Sequence, residues 1–234
     1  MSVMMIFLAV IAAIILWWMA QHRLTSKPWL EVGPAPEAFR ERQLSIEPAR
    51  IGLGVFLAVV GSLFSLFISA YLMRVETPDL WSTPIPRLLW VNTTVLIVSS
   101  AAMQWAKTEA QRGRSEAVRT ALLAALATAI LFLTGQILAW RQLTQAGYVL
   151  AGNPANSFFY VITGMHGLHI VGGIVALGRT MTKAWSVPVS NRVRLRVDLC
   201  ALYWHFMLFV WVVLFALFAG WANDFVDICR QLIS

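Results

Sequence analysis

The segment SFFYVITGMHGLHIVGG, Ser157–Gly173, is a long apolar run that carries two histidines, His166 and His169, three positions apart. The glycines within it are Gly164, Gly167, Gly172 and Gly173. A run of this length and composition is typical of a transmembrane helix. Because an ionisable side chain is costly inside a bilayer, its presence there marks a site with a special role. The segment therefore predicts a membrane helix that carries two imidazole side chains within the bilayer.

Six such segments occur along the 234 residues, which are 59% hydrophobic and 12% charged. A soluble domain has about 25% charged residues. The six apolar runs are Val3–Ala20, Ile51–Met73, Leu88–Ala106, Thr120–Trp140, Ser157–Gly178 and Cys200–Ala222. We therefore predict an all-α polytopic membrane protein with six transmembrane helices.

The longest polar stretch, residues 21–50, contains four prolines and separates the first span from the other five. The chain is therefore predicted to have four parts. They are an N-terminal transmembrane helix over 1–20, a cytoplasmic linker over 21–50 with one short helix near Pro36–Leu44, a five-helix membrane domain over 51–222, and a periplasmic tail over 223–234.

The basic residues alternate between the two sides of the membrane. Fourteen of the 18 Lys and Arg lie in residues 21–50, 107–119 and 179–199, and four lie in the remaining segments. Because basic loops stay in the cytoplasm, both termini are predicted to lie outside. The net charge of +7 is divided among short loops, so it indicates topology and not nucleic-acid binding.

The predicted spans contain no Asp or Glu, and the titratable side chains well inside them are His166, His169 and His205. Proton and cation pathways through membranes generally use carboxylates at depth, so the sequence argues against a pump acting alone. Cys200 and Cys229 fall at opposite ends of the last span, and no metal-ligand spacing is present.

Three roles remain open for the histidines. His166 and His169 lie on one face of one helix, about 4.5 Å apart along its axis, so they cannot both bind one haem iron axially. A haem held between His169 and His205 is conceivable, as is a role in proton handling. The favoured prediction is packing: the glycines allow a neighbouring helix to approach closely, and imidazoles there can hydrogen-bond across helices or to lipid headgroups. Trp204 is expected to pack against a neighbour.

Three segments together resemble subunit III of the haem-copper oxidases. TGMHGLHIVGG is similar to that family's TGxHGxHVxxG, YWHFMLFVW at Tyr203–Trp211 to its YWHFVDVVW, and WVNTTVLIVSSAAMQWA at Trp90–Ala106 to its LNTxxLLxSSxxxxxA helix. LTGQILAW, which contains Gln136, is similar to GxxFxxxQxxEW, and Asp198 stands where the family usually has Glu. The match covers about residues 50–222 in the same order.

The resemblance implies an accessory, non-redox subunit of a terminal oxidase that reduces oxygen to water and translocates protons, in the bacterial inner membrane. Such a chain binds no haem or copper itself, packs against subunit I alongside subunit II, and holds phospholipid. The residues that the resemblance assigns to helix packing and lipid contact are His166, His169, His205, Gly164, Gly167, Gly173, Trp204, Gln136 and Asp198.

The sequence departs from the family pattern by lacking acids. The segment LAVVGSLFSLF has none where many members carry a buried Glu, and Ala139 and Leu208 stand at two further acidic positions of the family motifs. A second reading therefore stays open: an accessory membrane subunit associated with nitric oxide reductase.

Overall fold

The structure, a computed structural model, describes residues 37–75, 86–150, 154–186 and 189–219, and these fold into helices joined by short connections. The helices are α1 (Glu37–Val75), α2 (Arg87–Arg112), α3 (Ser115–Gln145), α4 (Pro154–Ser186) and α5 (Asn191–Phe218). Residues Ala49–Asn223 form one compact unit. Met1–Pro48 and Asp224–Ser234 form a separate unit, of which residues 37–48 are described, as helix.

Five helical segments of the described chain are long and apolar enough to cross a membrane. They are Pro48–Arg74, Arg87–Arg112, Ser115–Gln145, Pro154–Ser186 and Asn191–Phe218. At 1.5 Å per residue, the 26 residues of α2 extend about 39 Å, which exceeds the ~30 Å of the hydrocarbon core. The all-helical, multi-pass character predicted from the sequence is therefore confirmed for the described chain. The predicted first span, within residues 1–20, and the tail over 223–234 lie outside the described residues.

Helix α1 begins earlier than its predicted span. The segment 37–50 belongs to one continuous helix that runs through Pro48 to Val75, whereas the sequence predicted a linker with a separate short helix. The reason lies in the composition of EAFRERQL, residues 37–44, which is rich in strong helix formers. The helix that starts there continues directly into the apolar segment.

Four of the helices form a closed ring. Helix α2 packs closely against α3 and α5, and α4 packs against the same two helices. Small residues spaced four apart line the α2–α3 contact, which lets the two backbones approach closely. These buried alanines are Ala102, Ala106 and Ala110 of α2 and Ala121, Ala125 and Ala129 of α3.

Helix α1 contacts α4 and α5 through aromatic rings. Phe56 meets Tyr203 with ring centroids 6.3 Å apart, and Tyr71 meets Phe158 at 5.9 Å and Phe218 at 5.7 Å. The large side chains hold the α1 backbone further from its neighbours than the ring helices are from one another. This helix is therefore seated on the ring by side-chain packing, not by close backbone approach.

Polar contacts fix the helix ends on the basic side. The turn between α2 and α3 contains Gly113 at φ 76°, in the left-handed region that favours glycine. Beside it, the buried Glu109 binds Arg112 at 2.7 Å and Arg114 at 3.4 Å. The Nε of Arg119 donates to the carbonyl of Ala184 at 3.1 Å, so a cation from α3 satisfies the C-terminal end of α4.

Candidate functional site

His166 lies fully buried between four helices. From α4 its ring contacts Phe64 of α1, Phe132 of α3 and Trp211 of α5, at centroid distances of 6.1, 5.9 and 5.0 Å. Neither ring nitrogen has a hydrogen-bond partner among the described residues. The predicted hydrogen bond to another helix therefore has no partner within the described ranges, and contact with lipid stays a prediction. Aromatic rings enclose it on the sides where the neighbouring helices pack.

His169 lies one turn further along α4 and is partly exposed. Its Nδ1 is 2.7 Å from the carbonyl oxygen of Met165, four residues earlier, so this hydrogen bond stays within α4. Phe64 lies 5.5 Å from the His169 ring and thus contacts both histidines. The link to another helix is made by the His169 backbone, whose carbonyl accepts from the Tyr203 hydroxyl at 2.7 Å.

The three predicted glycines differ in how closely they are approached. A Cβ added at Gly173 would lie 2.7 Å from the Tyr203 ring and 2.9 Å from the Trp204 ring. At Gly164 the nearest atom, of Trp140, would be 3.5 Å away, and at Gly167 the nearest would be 3.8 Å away, which are ordinary contacts. Of these three glycines, Gly173 is therefore the one that permits close approach, where α5 places two aromatic rings against the α4 backbone.

Two buried tryptophans bind α5 to α2. The indole Nε1 of Trp204 donates to Ser99 Oγ at 2.9 Å, and that of Trp211 donates to Thr93 Oγ1 at 3.0 Å. Both rings are fully buried, so the expected packing of Trp204 is confirmed. Each indole has an apolar body in the core and one donor that finds a hydroxyl acceptor on the neighbouring helix.

Gln136 is buried on α3 and accepts a hydrogen bond from the Asn92 side chain of α2 at 3.2 Å. Its amide nitrogen has no partner among the described residues. Thr94 and Thr134, at similar depths, donate to carbonyls of their own helices. A threonine hydroxyl can always reach the carbonyl three or four residues back, so its presence alone does not indicate an interhelical bond.

His205 faces outward, next to α2. Its Nδ1 is 2.6 Å from Ser100 Oγ, and its Nε2 is 3.0 Å from Gln104 Oε1. Since Oε1 can only accept, Nε2 carries the proton and Nδ1 accepts from the serine hydroxyl. Both nitrogens are therefore satisfied by one helix, and the ring is still exposed on the outer surface of the bundle.

Asp198, two turns before His205 on α5, joins three helices. Its Oδ2 is 2.8 Å from Arg50 of α1, and its Oδ1 is 2.7 Å from Lys107 of α2. One carboxylate thus meets two cations at the basic end of the bundle. The three side chains are partly exposed, so solvent and salt screen the pair energies.

The predicted site residues therefore divide between two places. His166, Gly173, Trp204 and Gln136 lie in the interior, whereas His205 and Asp198 lie on the outer α2–α5 face. Both nitrogens of His205 bind α2 side chains, an arrangement that does not favour the conceivable haem pair of His169 and His205. Within the described ranges, no three His, Cys, Asp or Glu side chains form a group that could hold a metal ion.

Sequence reasoning missed Phe64, Gln104 and Lys107. Gln104 and Lys107 follow Ser100 at the fourth and seventh positions, so helical spacing places all three on one face of α2. That pattern was a usable signal. Phe64 gave no such signal, because one aromatic residue in an apolar span is ordinary core composition.

The family model for cytochrome c oxidase subunit III matches residues 52–223, which is more than half of the chain. The chain belongs to this family. The interior histidine, the close approach at Gly173 and the outer pair of His205 and Asp198 all lie inside the matched region. The resemblance carried by TGMHGLHIVGG and YWHF is thereby confirmed.

Curated relatives carry the same name. The chain is 30% identical over 172 residues to "Cytochrome c oxidase subunit 3" of Synechocystis sp., covering 71% of this chain and 72% of that one. It is 27% identical over 195 residues to "Probable cytochrome c oxidase subunit 3" of Mycobacterium bovis, covering 79% and 95%. The similarity to "Cytochrome c oxidase subunit 3" of Yarrowia lipolytica is 27% over 187 residues, covering 74% and 68%.

Proposed function

We propose that this chain is the accessory, non-redox subunit III of a haem-copper terminal oxidase, a complex that reduces oxygen to water and translocates protons. The observation that carries the proposal is the family match over residues 52–223, together with relatives named as cytochrome c oxidase subunits. The same comparisons do not favour the alternative, an accessory subunit associated with nitric oxide reductase.

In this role the chain acts as a scaffold for subunit I, with subunit II in the same complex, and has no catalytic centre of its own. The geometry supports the proposal because two of the histidines at membrane depth contribute to the packing of the bundle. His205 uses both nitrogens to hold α2, and His166 is enclosed by three aromatic rings. Haem and copper are held by the partner subunits, so the electrons do not pass through this chain.

The proposal includes bound phospholipid and a defined topology. Exposed basic residues at one end of the helices, such as Lys183 of α4 and Arg192 of α5, are suited to charge-assisted hydrogen bonds with lipid phosphates. The excess of basic residues on that side supports a cytoplasmic orientation of these loops in the proposed bacterial inner membrane. The proposed topology has six passages through the inner membrane, counting the span predicted from the sequence of residues 1–20, with both termini outside.

The direct test is purification of the tagged chain from its own membranes in mild detergent. We expect haem-copper subunits I and II to co-purify, with haem absorbance belonging to them. The chain expressed alone should show no Soret band. A haem-free chain that retains no haem-copper subunit would contradict the proposal, and co-purification with a nitric oxide reductase core would select the alternative.

A further inference from the structure

The outer surface of the bundle carries one polar strip at membrane depth. We name it the polar seam and define it as Ser100, Gln104 and Lys107 of α2 with Asp198 and His205 of α5. Gln104 and His205 are exposed. The side chains that flank them on α5 are Leu202 and Phe209, with exposed fractions of 48% and 60%. The polar seam therefore lies in a surface that is otherwise suited to an apolar environment.

The depth of the seam decides what can cover it. His205 is seven residues from Asp198 along α5, about 10 Å toward the middle of the membrane. Gln104 is three residues from Lys107 along α2, about 4.5 Å in the same direction. Both lie within segments long and apolar enough to span the membrane. A polar group exposed to hydrocarbon at this depth is unfavourable unless something supplies its hydrogen bonds.

The internal hydrogen bonds of the seam leave one group to be satisfied from outside. Ser100 donates to His205, and His205 donates to Gln104 Oε1. With Gln104 Oε1 facing His205, the NH2 group of Gln104, which has two donors, has no acceptor among the described residues. Other exposed hydroxyls at this depth, such as those of Thr94 and Ser62, bind carbonyls of their own helices and need nothing further.

The charges at the end of the seam point to the same partner. Asp198 alone balances both Arg50 and Lys107, so this group of three side chains keeps one net positive charge. Arg50 is the more exposed of the two cations, with 58% of its side chain accessible. The surface thus offers an amide donor at membrane depth and, beyond Lys107 and Asp198, the Arg50 cation at the membrane boundary.

We infer that the polar seam is the docking face for a transmembrane helix of the partner oxidase subunit. That helix presents a hydrogen-bond acceptor opposite Gln104 and an acidic side chain opposite Arg50. At this depth the hydrocarbon of an acyl chain offers no acceptor, whereas Ser, Thr, Asn or Gln side chains of a neighbouring helix do. A lipid ester or phosphate oxygen that reaches Gln104 instead is the outcome that crosslinks to lipid alone would report. The identity of the partner rests on the proposed function, while the location of the docking face rests on the seam itself.

The test is photocrosslinking in native membranes. A benzophenone amino acid replaces Phe209, beside the seam. In a matched control it replaces Leu131 of α3, which is similarly exposed at 56%. We expect Phe209 to crosslink to another polypeptide of the oxidase complex and Leu131 to give lipid adducts. Crosslinks from Phe209 only to lipid, or to residues of this chain, would overturn the inference.

A second measurement uses retention of the chain in the complex. Gln104→Leu removes the outward donor, and we expect about 3- to 20-fold weaker retention, the effect of one interhelical hydrogen bond in a membrane. Thr94→Val, which removes a hydroxyl bound within α2, should leave retention unchanged. Equal retention of both variants would contradict the inference.

The two proposals can fail separately. If haem-copper subunits co-purify but Phe209 reaches only lipid, the docking face is wrong and the function stands. If Phe209 crosslinks to a polypeptide that is not a haem-copper subunit, the docking face stands and the function is wrong.

Discussion

The interior around His166 and the outer seam around His205 hold an imidazole in opposite ways. The buried imidazole has no hydrogen bond among the described residues and is held by aromatic rings from three other helices. The exposed imidazole has both nitrogens bonded to side chains of α2. In the interior, shape determines which side chain fits. On the surface, the hydrogen-bond geometry does.

This difference bears on how substitutions should be read. A soluble protein usually hydrogen-bonds its buried polar groups and leaves its exposed ones to water. Here the medium outside the bundle is a membrane and offers no water, so the exposed histidine also needs protein partners. Loss of a ring nitrogen should therefore matter at position 205, whereas loss of ring volume should matter at position 166.

The largest loss of stability is expected from removing the buried ring of His166. His166→Ala leaves a cavity among Phe64, Phe132 and Trp211 and should lower the free energy of unfolding by about 3 kcal/mol, with weaker retention of the subunit. The matched variant His166→Phe keeps a ring and should stay within about 1.5 kcal/mol of the wild type. Thermal unfolding in detergent measures both.

The haem spectrum of the purified complex should be unchanged in both His166 variants, because the ring belongs to the packing of this subunit. A lost or shifted haem band would show that His166 acts on a cofactor. A phenylalanine variant as unstable as the alanine variant would show that the ring nitrogens matter.

The next largest loss of stability is expected at Gly173, where the rings of α5 lie against the backbone of α4. Gly173→Ala places a methyl group against the Tyr203 and Trp204 rings and should cost about 1–3 kcal/mol through overpacking. Gly172→Ala is the matched control, since an added Cβ there meets nothing within 4 Å. It should be neutral or slightly stabilising, as alanine favours helices. Equal melting temperatures for the two variants would contradict the close contact.

A smaller effect is expected on the outer face. His205→Phe preserves ring volume but removes the bonds to Ser100 and Gln104, and should cost about 1 kcal/mol, the sum of two interhelical hydrogen bonds in a membrane. Ser62→Ala, which removes a hydroxyl bound within α1, should cost less. If His205→Phe melts like the wild type while His166→Phe does not, the contrast between the two sites is reversed.

The smallest effect is expected at the end of the seam. Asp198→Asn removes the charge shared by Arg50 and Lys107, and should cost under about 1 kcal/mol because these side chains are partly exposed. The difference from the wild type should shrink in high salt, which screens exposed charges. A loss that is large and independent of salt would show instead that the ion pairs are shielded from solvent.

The sequence predicted the helices well and the contacts unevenly. Hydropathy placed α2 to α5 because each is long and apolar, and the interior position of Trp204 followed from its distance to the ends of its span. Hydropathy could not predict that His166 has no hydrogen-bond partner within the described ranges, since that depends on where α1, α3 and α5 place their rings. The contact between Arg50 and Asp198 joins residues 148 positions apart, and only the assembled bundle brings them together.

The aromatic contacts that hold α1 against α4 and α5 have a consequence for biosynthesis. Phe64 meets His166 and His169, and Tyr71 meets Phe158 and Phe218, so these partners are synthesised about 90 to 150 residues after α1 enters the membrane. Helices α2 and α3, joined by a tight turn, can pair as soon as both have emerged. Helix α1, although it is made before this pair, therefore completes its packing last. A chain that stops before α5 leaves α1 without its contacts to Tyr203 and Phe218.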